Sequence, residues 1–218
     1  MVENILYIVA AYLIGSIPFG YLAGRLRGMD LREHGSHNIG ATNAIRVLGK
    51  AWGIPVFILD FLKGYAPLLL MKLHLGGDAT QFGTAEMGWF LGMLMALVLG
   101  HTYTCYLGFK GGKGVATTAG CMMALSPTLC GLALAVWILM MALTRYVSLS
   151  SMVAGVAMVL LGMYEFWWAD GSLGTPDMML IALLALVCIL LIVKHRANIG
   201  RLLNGTEPKA FSHSNNQN

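Results

Sequence analysis

The sequence predicts an all-α polytopic membrane protein of seven transmembrane helices, one of them short, with the N-terminus outside and the C-terminus in the cytoplasm. Three observations carry that prediction. The 218 residues are 57% apolar and only 11% charged, with a mean hydropathy of +0.71, a composition that soluble domains do not have. Several apolar runs reach or approach the roughly 20 residues that a helix needs to cross a hydrocarbon core of about 30 Å. Laid out in order, those runs also sort the charged residues by sign onto two sides.

The first run, 4–24, follows Glu3 and precedes Arg25 and Arg27. A signal peptide has a basic start and a small-residue cleavage site, so this run reads as a retained span entering from outside. Runs 51–73 and 84–107 then return Lys110 and Lys113 to the side of Arg25, Arg27, Arg32, Arg46 and Lys50. The stretch 114–144 is too long for one crossing, since a single helix would extend about 46 Å, and Ser126-Pro127 interrupts it. One crossing would also strand Arg145, Lys194, Arg196, Arg201 and Lys209 outside, against the positive-inside rule. Two pieces, 114–125 and 128–144, restore the order. The first, about 18 Å long, cannot span unaided. It is expected to pack inside the bundle with its N-terminus near the cytoplasmic interface.

Runs 147–168 and 178–194 complete the seven. Inner segments then carry twelve basic against three acidic residues, and outer ones carry Lys72 alone against Glu3, Asp78, Glu86, Glu165, Asp170 and Asp177. The net charge of +4 therefore conceals a basic inner face and an acidic outer one. Residues 1–209 are expected to form one membrane domain, and the polar tail 210–218 to be disordered.

Cys105, Cys121, Cys130 and Cys188 stand singly in apolar stretches without C-x-x-C spacing and read as packing residues. The fifteen methionines are scattered among Leu and Ala in the same runs. No metal site or cofactor is predicted, and a soluble enzyme, a disulfide scaffold and a nucleic-acid binder are excluded.

Three inner-face stretches hold more glycine, small polar and basic residues than a connector needs: 34–46 (HGSHNIGATNAIR), 108–118 (GFKGGKGVATT) and 194–207 (KHRANIGRLLNGTE). Convergence of such groups at one depth is what an active site requires. In the second, Gly111, Gly112 and Gly114 surround Lys113 just before the short helix. Glycines permit close backbone approach, and helix N-terminal N–H groups favour an anion, so the stretch reads as a phosphate cradle. It is not a P-loop, because Gly114 replaces the Ser/Thr and Gly108 is one residue too near. A flexible basic turn is the alternative. In the first stretch Ser36, Asn38, Thr42, Asn43 and Arg46 supply hydroxyl, amide and guanidinium donors suited to phosphate, or else simply a capped, solvated loop helix. In the third, His195 and Asn198 share a face if the helix continues, with Arg201 near the same stripe. An interfacial histidine capping a helix end is the plainer reading. Asp60 and Lys63 sit at i, i+3 within the second span and read as a mutually neutralising pair, with a proton or ion pathway as the alternative. His101 closes the third span, where it can orient the glycine-rich turn or merely fill space.

These residues resemble the PlsY family, the bacterial acyl-phosphate:glycerol-3-phosphate acyltransferases. The match covers Ser36, Asn38, Gly40-Ala41-Thr42-Asn43 and Arg46; Gly100-His101, then Phe109-Lys110-Gly111-Gly112-Lys113-Gly114 and Val115-Ala116-Thr117; and His195-Arg196, Asn198-Ile199, Arg201-Leu202, Gly205 and Glu207. The resemblance implies transfer of a fatty acyl group from acyl phosphate to the sn-1 hydroxyl of glycerol 3-phosphate. The products would be 1-acyl-glycerol 3-phosphate (lysophosphatidic acid) and phosphate, in phospholipid biosynthesis at a bacterial cytoplasmic (inner) membrane. It further implies that Ser36, Arg46, Lys113, His195 and Asn198 carry catalysis. Asn38, Thr42, Asn43 and Lys110 would contact substrate, and Gly111, Gly112 and Gly114 would receive the acyl phosphate. His101 and Glu207 would give structural support. The general base is left between His195 and a substrate phosphate. Expected partners are the two substrates, the bilayer and, by handover, other phospholipid-synthesis enzymes; nucleic acid is not among them. The competing class is an anion or phosphate-ester transporter. An H-x-x-x-x-D acyltransferase dyad is excluded, because no histidine has Asp five residues later.

Overall fold

The structure is a computed structural model that describes residues 2–170 and 174–210, without the side chains of residues 80 and 165–170. The side chains of the outer acids Glu165 and Asp170, and the tail from 211 onward, lie outside the described residues.

Ten α-helices are found among the described residues: α1 (Val2–Ser16), α2 (Phe19–Leu26), α3 (Ala41–Leu48), α4 (Lys50–His74), α5 (Thr84–Thr102), α6 (Val115–Leu125), α7 (Pro127–Thr144), α8 (Val147–Asp170), α9 (Thr175–Lys194) and α10 (Arg196–Leu203). Six segments are long and apolar enough to cross a membrane, α1 and α2 counting as one, and α6 is the shorter apolar helix. This is the expected layout. Ser126 divides α6 from α7 as anticipated: its hydroxyl accepts the Leu129 N–H at 3.2 Å, and Pro127 starts the new helix, where its missing N–H costs nothing.

The first run, 4–24, falls within one span, Val2–Leu26, but its helix is interrupted at Ile17-Pro18. Proline cannot donate to the helical ladder, and the carbonyls that the break exposes find other donors. Ser16 O accepts from the Thr104 hydroxyl at 2.5 Å, and Ile17 O from Lys63 Nζ at 2.7 Å. Backbone groups freed inside a membrane bundle must be satisfied by such neighbours.

Helices α5 and α6 form the centre. Phe90, Leu94, Leu97 and Met122 are fully buried. Glycines set the helix spacing: a Cβ at Gly15 would collide with Leu97 O, one at Gly100 with Tyr12 O, one at Gly64 with Thr117 O, and one at Gly120 with Phe61 O. Small residues at these crossings let backbones touch, as dispersion-driven packing in lipid favours. The two ends of α6 are treated differently. Its last carbonyls, on Ala124 and Leu125, accept from Lys72 Nζ at 3.2 and 3.1 Å, which offsets the negative end of the dipole. Its N-terminus opens onto the glycine loop. Cys121, Cys130 and Cys188 are buried, all four cysteines are free, and they pack as expected.

Candidate active site

The three polar stretches meet at the N-terminus of α6. Lys113 Nζ donates to Asn198 Oδ1, joining the second stretch to the third. Asn198 Nδ2 donates to Glu207 Oε1 at 2.6 Å, the Ser148 hydroxyl donates to the same oxygen at 2.6 Å, and Arg201 Nε donates to Glu207 Oε2 at 2.7 Å. Burial raises the Glu207 pKa, but these three hydrogen bonds outweigh it and hold the carboxyl below its ordinary value. Arg46, from the first stretch, lies close enough to Glu207 and Arg201 to feel both electrostatically. Burial lowers the Lys113 ammonium to about 8, against the pull of Glu207 and with help from Arg201 and Arg46.

His195 sits where α9 gives way to α10. The helical run does not pass straight through, yet His195 and Asn198 are buried side by side in sequence register at 3% and 6% exposure. The His195 Nδ1 lies 2.8 Å from Leu191 O. A carbonyl only accepts, so Nδ1 carries the proton and Nε2 is left as a lone-pair acceptor. Burial, followed by the Lys113 charge, lowers the imidazole to about 4 against the Leu191 carbonyl and Glu207, so it is neutral at physiological pH.

In the second stretch the helix amides, rather than the glycine amides, are available. Gly112 N–H donates to His101 O at 2.9 Å and Gly111 N–H to Thr102 O at 3.3 Å. Gly111 and Gly112 were expected to receive the acyl phosphate; their own N–H groups are engaged by Thr102 O and His101 O. Their role is close approach: a Cβ at Gly111 would strike His101 O, and one at Gly112 the His101 ring. Gly114 adopts φ +84, a value glycine takes without strain. Beyond the two spent amides, the N–H groups of Lys113, Gly114, Val115, Ala116 and Thr117 have no main-chain acceptor among the described residues. They form the anion-favouring end of α6. Lys194 Nζ, also bonded to Thr102 O at 3.0 Å, ties the third stretch to the base of this loop.

In the first stretch Asn43 was expected at substrate. That side chain is 1% exposed; its Oδ1 accepts from Ser36 N–H at 2.8 Å, and its Nδ2 donates to Leu31 O, His34 O and Asn38 O. Every polar atom of Asn43 is engaged in the loop, which the side chain braces. Asn38 Oδ1 accepts from Gly40 N–H at 2.8 Å, which leaves its amide NH₂ for other use. Arg46, Thr42 and Lys110 are exposed, and Ser36 is half-buried. Ser148 was missed by sequence reading because it lies in an apolar run with nothing to distinguish it from its neighbours Ser150 and Ser151.

The family model for glycerol-3-phosphate acyltransferase matches residues 5–205. The chain belongs to this family. A glycerol-3-phosphate acyltransferase of Aquifex aeolicus is 42% identical over 201 residues, covering 92% of this chain and 95% of that protein. Glycerol-3-phosphate acyltransferase 3 of Bacillus anthracis is 42% identical over 212 residues, 96% of each. The crystal structure of PlsY, an integral membrane glycerol 3-phosphate acyltransferase, superimposes in its glycerol 3-phosphate form with TM-score 0.81 and 39% identity over 95% of both chains. In its lysophosphatidic acid form the TM-score is 0.78. The chain is thus a multi-pass membrane acyltransferase, and the transporter alternative is set aside.

Proposed function

We propose that this acyltransferase takes its acyl group from acyl phosphate and passes it to the sn-1 hydroxyl of glycerol 3-phosphate, on the cytoplasmic side of the membrane. The observation that carries the reading is the meeting of Lys113, Asn198, His195 and the open α6 N-terminus at one buried point. Two phosphate-bearing substrates need two anion sites side by side. The α6 amides with Lys113 form one, and Arg46 with Ser36 and the Asn38 amide forms the other.

An acyl phosphate is a mixed anhydride with a good leaving group, so positioning and charge stabilisation suffice. The sn-1 oxygen attacks the acyl carbonyl carbon; a C–O ester bond forms, and the bond to the phosphate oxygen breaks as phosphate departs with the electron pair. Lys113 and the α6 amides offset the charge that develops. The His195 Nε2 lone pair accepts the hydroxyl hydrogen bond and aligns the attack. The departing phosphate gains a negative charge on the oxygen released from carbon and is a stronger base than an imidazole held at about 4, so the proton ends on that phosphate. The acyl chain enters sideways from the bilayer. An apolar groove of about 410 Å³, lined by Met152, Val156, Leu160 and Ile192, reaches Ile199, the residue after Asn198.

Purified protein in detergent, given acyl phosphate and glycerol 3-phosphate, is expected to release phosphate only when both are present. Absence of release, or release independent of glycerol 3-phosphate, overturns the donor assignment.

A further inference from the structure

Asp60 and Lys63 are 2% and 6% exposed inside α4, and the reaction derived above uses neither. Ionisable side chains at the centre of a transmembrane helix are costly, so a pair kept there asks for a use. Lys63 Nζ stands 2.8 Å from Asp60 Oδ1 and donates to Ile17 O at the break between α1 and α2. The same Asp60 oxygen lies 3.6 Å from His101 Nδ1. That nitrogen is buried and has no hydrogen-bond partner among the described residues. The other edge of the ring, at Nε2, fills the place a Gly112 side chain would take. The Asp60 carbonyl in turn accepts from the Thr117 hydroxyl at 3.0 Å, in the first turn of α6.

We propose that Asp60 is a positioning residue for the glycine loop, acting through His101. The deduction rests on the site reading above. His101 contacts the loop twice, through its ring against Gly112 and through its carbonyl on the Gly112 N–H. The rotation of that ring therefore fixes where Gly112 runs, and Lys113 is the next residue. Asp60 offers the ring a charged anchor 3.6 Å away, and Lys63 holds the carboxylate in place by pinning it to the α1–α2 break. The Thr117 contact fixes the α6 N-terminus from below to the same residue. The pair, the imidazole and the loop thus form one continuous column from α4 to the phosphate site. Breaking it displaces Lys113 and the α6 amides relative to the bound anion while leaving the second anion site of Arg46 and Ser36 untouched.

The column predicts a selective effect. The test uses three variants of the full chain in detergent, each checked for a single monodisperse peak, with KM measured separately for both substrates. Gly112→Ala first identifies the substrate held by the loop, as the one whose KM rises. Asp60→Leu combined with Lys63→Met removes the pair without leaving one charge buried alone, which a single truncation would do at large cost. It is expected to raise the KM of that same substrate about 10- to 100-fold, as misplacement by an ångström does, with the other KM within twofold. As the control pair, Asp60→Asn with Lys63→Gln keeps an oxygen toward His101 and likewise strands no charge, and is expected to stay within about threefold of wild type. Wild-type values for both substrates in the Asp60→Leu, Lys63→Met variant, or an equal rise in both, overturn the proposal. If that variant is not monodisperse, His101→Asn leaves the ion pair intact and must give the same selective rise; wild-type KM values there overturn the proposal as well. A Gly112→Ala protein with both KM values unchanged would instead remove the loop reading itself, which keeps the two failures apart.

Discussion

The first and second polar stretches look alike in sequence and are built for opposite purposes. Both are rich in glycine and small polar residues, and both place a non-glycine residue at positive φ, His37 in one and Phe109 in the other. In the first, most polar groups are consumed internally, and what is left to present is Arg46, Ser36 and the Asn38 amide. Asn43 satisfies four partners, and just ahead of the stretch Arg32 clamps Asp30 with contacts of 2.6 to 3.1 Å, holding that carboxyl down at about 2. His34 and His37 bond to the Asp30 and Arg32 carbonyls. In the second, only the rear is tied down, through Gly111 and Gly112, and the forward edge of Lys113 and the α6 amides is left open. Polar density marks both as special; hydrogen-bond accounting tells which one supports and which one presents.

That contrast is most severely tested at Lys113. Lys113→Ala removes the presented charge without touching the loop's rear anchors. It is expected to cost about 100- to 1,000-fold in kcat/KM, the range for losing one preorganised donor to developing charge, with the thermal midpoint in detergent unchanged. Activity within tenfold of wild type would move the chemistry away from the second stretch.

The alkaline pH profile sharpens the same point with a smaller effect. Burial lowers the Lys113 pKa from 10.5 to about 8. A lysine needed in its charged form then makes kcat/KM for the free enzyme fall as pH rises through about 8, by about tenfold per unit beyond it. Lys113→Arg, whose guanidinium stays protonated, is expected to be slower throughout but to lose this alkaline limb. An unchanged limb in that variant assigns the titration elsewhere.

Asn43→Ala is the converse experiment in the first stretch. Removing a buried amide that satisfies three carbonyls and one N–H is expected to cost about 1–3 kcal/mol of stability. It would appear as a lower thermal midpoint, while kcat per folded molecule falls only a few-fold. A rate loss matching that of Lys113→Ala at full stability would erase the distinction between the stretches.

How much of this was legible beforehand follows from what each signal depends on. Six crossings and the short α6 could be read because span length and the sign of flanking charges are properties of the chain alone, and Ser126-Pro127 divides α6 from α7 on local grounds. The break at Pro18 was not read, because the partners that make it affordable, Thr104 and Lys63, are 86 and 45 residues away in sequence. Glu207 was expected to brace; its partners Ser148, Asn198 and Arg201 include one, Ser148, that no motif marks. Asn43 was expected at substrate, since an asparagine that binds a ligand and one that staples a loop carry the same letter. The difference lies in which carbonyls surround it, and tertiary packing alone decides that.

The smallest expected effects fall on Thr42 and Lys110, which sequence resemblance placed with the substrate contacts. Both are exposed, and neither makes a side-chain hydrogen bond to the Lys113–Asn198–Glu207 network. A contact that reaches a phosphate through solvent is worth little, because exposed charges and hydroxyls exchange one set of water bonds for another. Thr42→Val and Lys110→Met are therefore expected to change either KM by less than about threefold, with the Lys110 effect shrinking further as salt screens its charge. A tenfold KM rise in Thr42→Val would mean that its hydroxyl bonds the substrate directly once the first stretch closes on it. The first stretch would then present a group beyond Arg46, Ser36 and the Asn38 amide, and its separation from the second would narrow further.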